Sequence, residues 1–518
     1  MFFIFLYFFI LSFSTTFGGN ILVFNCVNCR THMLSFVPLL QELASNGHNI
    51  TIFNADMKPA GDFGKNIAAI DVIDKPDEAT AAQFAAMLFT FTAHSYIVPL
   101  GALYNGMEFN NLVLRNPDLF CRIFDTKYDL VIVDEFFSIH GMVSALFLNK
   151  FEGVPYVVFS ATQTTSFFQS NLALGRNYGS QLSLFTNIPE SRNDKFDPKN
   201  FLHRVFSVVE AGLEDFLVNK VAVNFLQGPG ILGLNKEFDF FTFAEKSSGI
   251  LSDHFDRIGE IHTVGSDWLS VGAHCPEITL RNKYSMRISK DLKKFIEDPE
   301  SKGTIVVSFG TTVSWTGAPD DLKYSLLESF EDLKDYRIVG SFSGDFPVSK
   351  SKNIKILDWI PQADLLNHPK TKLFLTHGGL KSLKESICAG VPVAIMPIVA
   401  EQAYNAKFVL KLKIGKSLKK FKISKKNFLN SFKKILENPI YIKNILKTKN
   451  IILDRILSSV HQGVHKIQKI MKMKKKYFKL YDFGQKMLLK RKGMYLDRCR
   501  YWGLDLGGLI LVIIMVLK

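Results

Sequence analysis

Residues 374–402, FLTHGGLKSLKESICAGVPVAIMPIVAEQ, constrain the fold of this chain more than any other segment. The apolar run at 372–376 reads as a buried parallel strand, His377, Gly378 and Gly379 as a tight turn, and a helix is expected to begin near Leu380. Beyond Gly390, residues 392–397 read as a second short buried strand, with Glu401 and Gln402 at its carboxyl end. Such a β–α–β unit implies a parallel sheet with helices on its faces. In open sheets of this kind, ligands bind beyond the carboxyl ends of the strands.

The polar residues of the segment fall where an anion would lie. Glycines in the turn let backbone N–H groups approach a ligand closely. The helix N-terminus adds unpaired donors and roughly half a positive charge, a ready phosphate site. His377 is a further donor, and Glu385 can accept from sugar hydroxyls. Upstream, LDWIPQADLLNHP offers an indole at Trp359 and an amide at Gln362, which can stack on a flat ring and hydrogen-bond beside it. These groups together suit a nucleotide diphosphate sugar.

The order T-H-G-G, S, E, P, P, E-Q resembles the signature of the UDP-glycosyltransferases, specifically the animal UDP-glucuronosyltransferase branch. The resemblance spans residues 20–445 and is strongest over 304–402. It implies an α/β chain of GT-B type: two Rossmann-like domains whose parallel sheets face each other across a cleft, followed by a helical basic C-terminal segment. The family's loop against the diphosphate corresponds to IVVSFGTT, with Ser308, Gly310 and Thr311. The donor set is then Ser308, Gly310, Thr311, Trp359, Gln362, His377, Gly378, Gly379, Lys381, Glu385, Glu401 and Gln402. Family members often carry Asn or Gly at the position of Lys381, Asp at that of Glu401 and a basic residue at that of Ser341. Lys381 is open to three roles: pairing with phosphate, pairing with a donor carboxylate, or obstructing the pocket.

The N-terminal half resembles the family's opening unit. Residues 20–25 read as a strand, Arg30, Thr31 and His32 as the lead into an amphipathic helix, and 49–54 as the next strand after Gly47 and His48. By position His32 is the catalytic base, and an imidazole is well matched to removing a hydroxyl proton. YDLVIVDE carries Asp134 to the end of a strand, where the family's aspartate orients the histidine; Glu135 is the neighbouring alternative. The implied reaction is a single displacement: His32 deprotonates the acceptor, its oxygen attacks the anomeric carbon, and UDP leaves with inversion. Cys26-x-x-Cys29 with His32 has metal-ligand spacing but no fourth ligand, and no Asp-x-Asp motif accompanies the donor residues, so no metal is expected. The co-substrate is a UDP-sugar, UDP-glucuronate or alternatively UDP-glucose, and no other cofactor is implied. The acceptor would be a small lipophilic hydroxyl compound. A non-catalytic UDP-sugar-binding protein is the other reading, motivated by Lys381 and Ser341.

Composition sets the outer limits. With 518 residues, 47% of them hydrophobic, the chain can bury two sizeable cores. The expected divisions are a signal peptide at 1–19, an acceptor domain at 20–270, a donor domain at 285–440, a basic helical segment at 441–500 and a short hydrophobic tail at 502–517. The aromatic stretches 84–103 and 136–148 would line the acceptor pocket, although residue by residue they read better as core. Residues 411–500 hold 27 Lys and Arg against 4 Asp and Glu, so the chain's net charge of +15 comes from its last fifth. No nucleic-acid motif accompanies that charge, so nucleic acid is not an expected partner. Self-association remains open. The apolar start predicts entry into the secretory pathway. The apolar run at 507–517 is shorter than the roughly twenty residues a spanning helix needs, so it reads as a truncated anchor. The expected place is the endoplasmic reticulum membrane, with the catalytic domains lumenal. Six cysteines in a chain this long do not predict a disulfide framework.

Overall fold

The computed structural model of the chain describes residues 18–26, 30–73, 78–90, 116–135, 138–162, 166–171, 197, 199–223, 238–257, 265–275, 288–399, 401–421 and 424–484. The expected signal peptide, apart from its last two residues, and the hydrophobic tail lie outside them.

Strands β1 (Asn20–Phe24), β2 (Asn49–Asp56), β3 (Ile67–Ile73), β4 (Leu130–Asp134), β5 (Tyr156–Ser160), β6 (Ile250–Ser252) and β7 (Trp268–Ser270) form a sheet in the order β3-β2-β1-β4-β5-β6-β7. Strands β8 (Gly303–Ser308), β9 (Tyr336–Ser341), β10 (Ile354–Ile356), β11 (Thr371–Thr376), β12 (Val393–Ile395) and β13 (Gly415–Ser417) form the other, in the order β10-β9-β8-β11-β12-β13. Every pairing in both sheets is parallel. The apolar runs of β1, β4, β5, β8 and β11 are what such strands require, because helices cover both sheet faces. Both sheets follow the Rossmann order, and each reverses direction beside its first strand, at β1/β4 and at β8/β11. This is the GT-B architecture of paired Rossmann-like sheets.

Successive β1 side chains enter opposite cores, as the period of two dictates. Leu22 and Phe24 join Val131, Val133 and Met142, whereas Ile21 and Val23 join Met33, Phe36 and Leu40. At about 1.5–3 kcal/mol for each fully buried large apolar side chain, these layers dominate the stability of the sheet.

Several expectations are corrected. The amphipathic helix after β1 is Arg30–Ser45, so His32 sits within its first turn rather than before it. Where it is described, the basic stretch is helical in two pieces. Helix Ile440–Leu453 buries Ile445 and Ile452 against Leu383 and Ile387 beside the second sheet. Helix Ser459–Gly484 then returns to the first sheet, where Val464, Ile467, Ile470 and Met471 pack with Leu39, Leu43 and Val271. Lys469 and Lys472 are exposed, whereas Lys466 is half-buried and donates to Ser266 O. The first sheet's core is thus completed by the far end of the chain.

The aromatic stretches expected at the acceptor pocket are core in part where they are described, although Phe84 and Met87 are exposed. In helix Glu78–Thr90, Leu88 and Phe89 pack on Trp315, with Phe89 and Trp315 centroids 5.5 Å apart, and so join the second sheet's core. In helix Ile139–Glu152, Ile139, Met142, Val143 and Leu148 lie in the first. Residues 91–103, 136 and 137 lie outside the described residues. The cysteine expectation also changes: Cys275 and Cys388 form a disulfide across 113 residues, tying the chain after β7 to helix Leu380–Ala389.

Candidate active site

The two switch points collect the polar residues. At the first, β1 and β4 are neighbours with Phe24 opposite Val133, so the loop after β1 and the end of β4 converge. His32 Nδ1 stands 3.3 Å from Asp134 Oδ2, and the two side chains are 15% and 1% exposed. A buried carboxylate thus holds one imidazole nitrogen and leaves the ring's partly open side for a ligand. Of the two neighbouring carboxylates, Asp134 is the one that meets His32; the Glu135 backbone N–H donates to Phe159 O, continuing the strand.

At the second switch point Ser308 lies opposite Thr376 in register. The backbone turns sharply after both strands, with φ of 74° at Gly310 and 90° at Gly378, where side chains are strained. Gly310 and Gly379 also make room for His377: a Cβ on either would stand 2.8 Å or 2.6 Å from the imidazole. Burial pushes the His377 pKa down to about 4, so it is a neutral hydrogen-bonding group at physiological pH. Helix Leu380–Ala389 starts at Gly379 without a side-chain cap, leaving its first-turn donors for a ligand, and ends at Gly390 in the left-handed conformation. Thr311 is exposed in the turn after β8.

The side chains for the nucleoside come together in part. Trp359 is 59% exposed, so its indole is a surface platform rather than core. Gln362 Nε2 donates to Glu385 Oε2 at 2.7 Å and approaches Ser382 Oγ at 3.4 Å, fixing the carboxylate. Ser341 Oγ donates to Asp358 O, bracing the loop that carries Trp359.

Of the other expected donor residues, Gln402 is engaged within its own loop. Gln402 Oε1 accepts from the N–H groups of Ile398 and Val399, so its carbonyl builds its own loop. Glu401 stands at the start of helix Gln402–Leu412. Burial pushes the Lys381 pKa down to about 8, partly offset by Asp253 and Glu385, so it remains mostly charged at neutral pH. Three contributors escaped the sequence reading. Asn405 Nδ2 donates to Gly378 O and pins the turn. Lys384 and Asp253 form a buried ion pair behind the helix. Lys420 Nζ donates to Leu88 O and Ile398 O. Asn405 lies 27 residues from Gly378, Lys384 lies 131 from Asp253 and Lys420 lies 332 from Leu88, and the letters alone give no signal of such pairings.

Comparison with known proteins agrees with this geometry. Residues 19–515 match the family described as UDP-glucoronosyl and UDP-glucosyl transferase. The chain is 26% identical over 482 residues to UDP-glycosyltransferase UGT4 of Dactylopius coccus, covering 88% of this chain and 86% of that protein. It is 24% identical over 425 residues to a UDP-glucuronosyltransferase of Pleuronectes platessa, covering 78% and 79%. With UDP-glucuronosyltransferase 2A3 of Cavia porcellus the identity is 23% over 492 residues, covering 88% and 84%. Among solved structures, the spinosyn forosaminyltransferase SpnP superposes with a TM-score of 0.55 at 17% identity, covering 88% of this chain and 99% of that one. The calicheamicin glycosyltransferase CalG4 gives 0.53 at 16%, with the same coverage.

Proposed function

The chain belongs to the UDP-glycosyltransferase family, and from that membership we propose that it transfers glucuronic acid from UDP-glucuronate to a hydroxyl of a small lipophilic acceptor, with inversion. The observation that carries the reading is the His32–Asp134 pair at the first switch point. His32 takes the acceptor's hydroxyl proton, while Asp134 orients the ring and stabilises the imidazolium that forms. The acceptor oxygen then bonds to the anomeric carbon as its bond to the UDP oxygen breaks, and UDP departs with the electron pair. Ser308, Gly310, Thr311, His377 and the uncapped helix N-terminus receive the diphosphate charge. Trp359 stacks on the uracil, and Gln362 and Glu385 hold the ribose. Glucuronate is favoured over glucose by the names of two of the relatives and by the ammonium of Lys381, which would meet a donor carboxylate.

The test is acceptor-dependent UDP release from UDP-glucuronate and UDP-glucose, offered separately with a panel of phenols and steroids. Release with glucuronate alone supports the assignment, and release with glucose alone names the other donor. UDP binding without release would make this a binding protein.

Two further outcomes are expected. Trp359→Ala should raise the UDP Kd by about 10–100-fold, the usual worth of one base–aromatic stack, measured by calorimetry. Affinity for UDP-glucuronate should also fall as pH rises through about 8. The Lys381 ammonium is deprotonating there in the free protein, whereas a bound anion would hold its proton on, so binding takes up a proton in that range. Lys381→Met should flatten the profile. An unchanged profile would mean that Lys381 serves Asp253 and not the donor.

Residence in the endoplasmic reticulum, with these sheets lumenal, belongs to the same proposal. The Cys275–Cys388 disulfide supports it, because such bonds persist in oxidising compartments. Among the described residues no helix is long and apolar enough to cross a membrane.

A further inference from the structure

We infer that Cys26, His32 and Asp134 form a binding site for a single thiophilic divalent cation, zinc foremost, and that its occupancy shuts off the His32 base. Cys26 Sγ, an imidazole nitrogen of His32 and a carboxylate oxygen of Asp134 lie within 4.8 Å of one another. The sequence shows only the Cys26–His32 part of this set; Asp134 arrives from a strand 102 residues away from His32.

The chemistry and the charge both fit a zinc-like ion. One thiolate, one neutral imidazole and one carboxylate make a borderline-soft set that zinc and cobalt(II) accept, and three protein ligands leave a fourth position open. Zinc bonds of about 2.0–2.3 Å place tetrahedral donors roughly 3.3–3.8 Å apart, so the 3.3 Å His32–Asp134 separation is already at that spacing. The cysteine sulfur, within 4.8 Å of both, needs an inward shift of at most about 1–1.5 Å to reach it. Cys26 is fully buried and Asp134 nearly so, and a divalent ion balances the two negative charges of thiolate and carboxylate. His32 is the partly exposed member, so the open position faces solvent beside it. Binding releases the Cys26 thiol proton and involves no electron transfer.

Occupancy is incompatible with the base function whichever nitrogen is used. An ion on the nitrogen facing Asp134 draws the carboxylate away from the ring. An ion on the other nitrogen takes the lone pair that would receive the acceptor's proton. Zinc therefore competes with catalysis at the acceptor side and leaves the Ser308–His377 donor residues untouched.

The experiment adds cobalt(II) to the purified, non-reduced, metal-free full chain and records its absorption, followed by zinc competition against a chromophoric chelator. A thiolate-to-cobalt charge-transfer band saturating at one equivalent, and displaced by zinc, is expected. Cys26→Ala should abolish the band, and His32→Gln should weaken cobalt binding by at least about tenfold, the scale on which even outer-shell changes alter metal affinity. Two variants at sites of different burial guard against a folding defect in one. No band, or a band that persists in Cys26→Ala, overturns the site; the thiol of Cys29, Cys121 or Cys499 would then be its source. The inhibitory consequence rests on the proposed transferase reading and is read separately. Zinc should slow acceptor-dependent UDP release in the natural chain, and its half-inhibiting concentration should rise at least about tenfold in Cys26→Ala relative to that variant's own zinc-free rate. Equal inhibition in the two overturns the proposed mechanism of shut-off. The cobalt band needs no turnover, so a failure of the transferase reading leaves the binding result intact.

Discussion

His32→Ala should lower kcat/KM for acceptor-dependent UDP release by about 10²–10⁴-fold, the range a positioned general base contributes. The loss should fall on kcat, because a proton acceptor acts in the transition state, and the Kd for UDP should stay unchanged. His32 lies beyond β1 in the first sheet, whereas the uncapped helix, the Gly310 turn and Trp359 belong to the second. Asp134→Asn should give a loss of similar order, since an amide presents the wrong partner to the ring and fails to stabilise its cation. Because the two residues act as one unit, the double variant should be little worse than either single one. UDP release by His32→Ala above about a tenth of the natural rate would sink the assignment of the base, which rests on the 3.3 Å contact with Asp134.

That contact also marks how far the sequence could be read. Strands β1, β4, β8, β11 and β12 were legible because each carries a continuous apolar run, the pattern a parallel strand needs when helices cover both faces. The turn at Gly378 and Gly379 was legible because only glycine tolerates that backbone and that closeness to His377. Pairing across distance was not. Asp134 and Glu135 are indistinguishable as letters, and only the register of β4 beside β1 selects the first. The disulfide had the same obstacle, with 113 residues between its cysteines. The basic C-terminal stretch misled for another reason. Its many lysines mask an apolar stripe, Val464, Ile467 and Met471, spaced at three and four, which the first sheet's core accepts while Lys469 and Lys472 remain in water. The letter at 359 does not tell a stacking indole from a core one; its 59% exposure leaves the ring as a surface platform.

Asp253→Ala should destabilise the protein by about 3–5 kcal/mol, because it strands the Lys384 ammonium in a buried site. Lys384 Nζ lies 2.6 Å from Asp253 Oδ1, both side chains are 6% exposed, and the ammonium stands over the Phe255 ring. His274 nearby offers no replacement anion: burial, foremost, and the Lys384 charge hold its pKa down to about 4, so it is neutral. Burial already lowers the Lys384 pKa, with Asp253 opposing it. Removing Asp253 lowers it further, and this fixes the sign of the pH dependence. A lysine whose folded pKa lies below its unfolded one binds fewer protons when folded, so stability rises with pH between the two values. The deficit of Asp253→Ala relative to the natural chain should therefore be largest near neutral pH and shrink towards pH 10, as followed by thermal unfolding. The double variant Asp253→Leu, Lys384→Met should recover most of the loss, since an apolar pair of similar volume needs no desolvation. A pH-independent deficit would show that the ammonium is not the origin of the cost. The pair also joins the segment after β6 to the helix that carries the donor turn, 131 residues apart in sequence. Its loss should therefore weaken the seating of that helix against the first sheet and lower turnover in the double variant even where stability is restored.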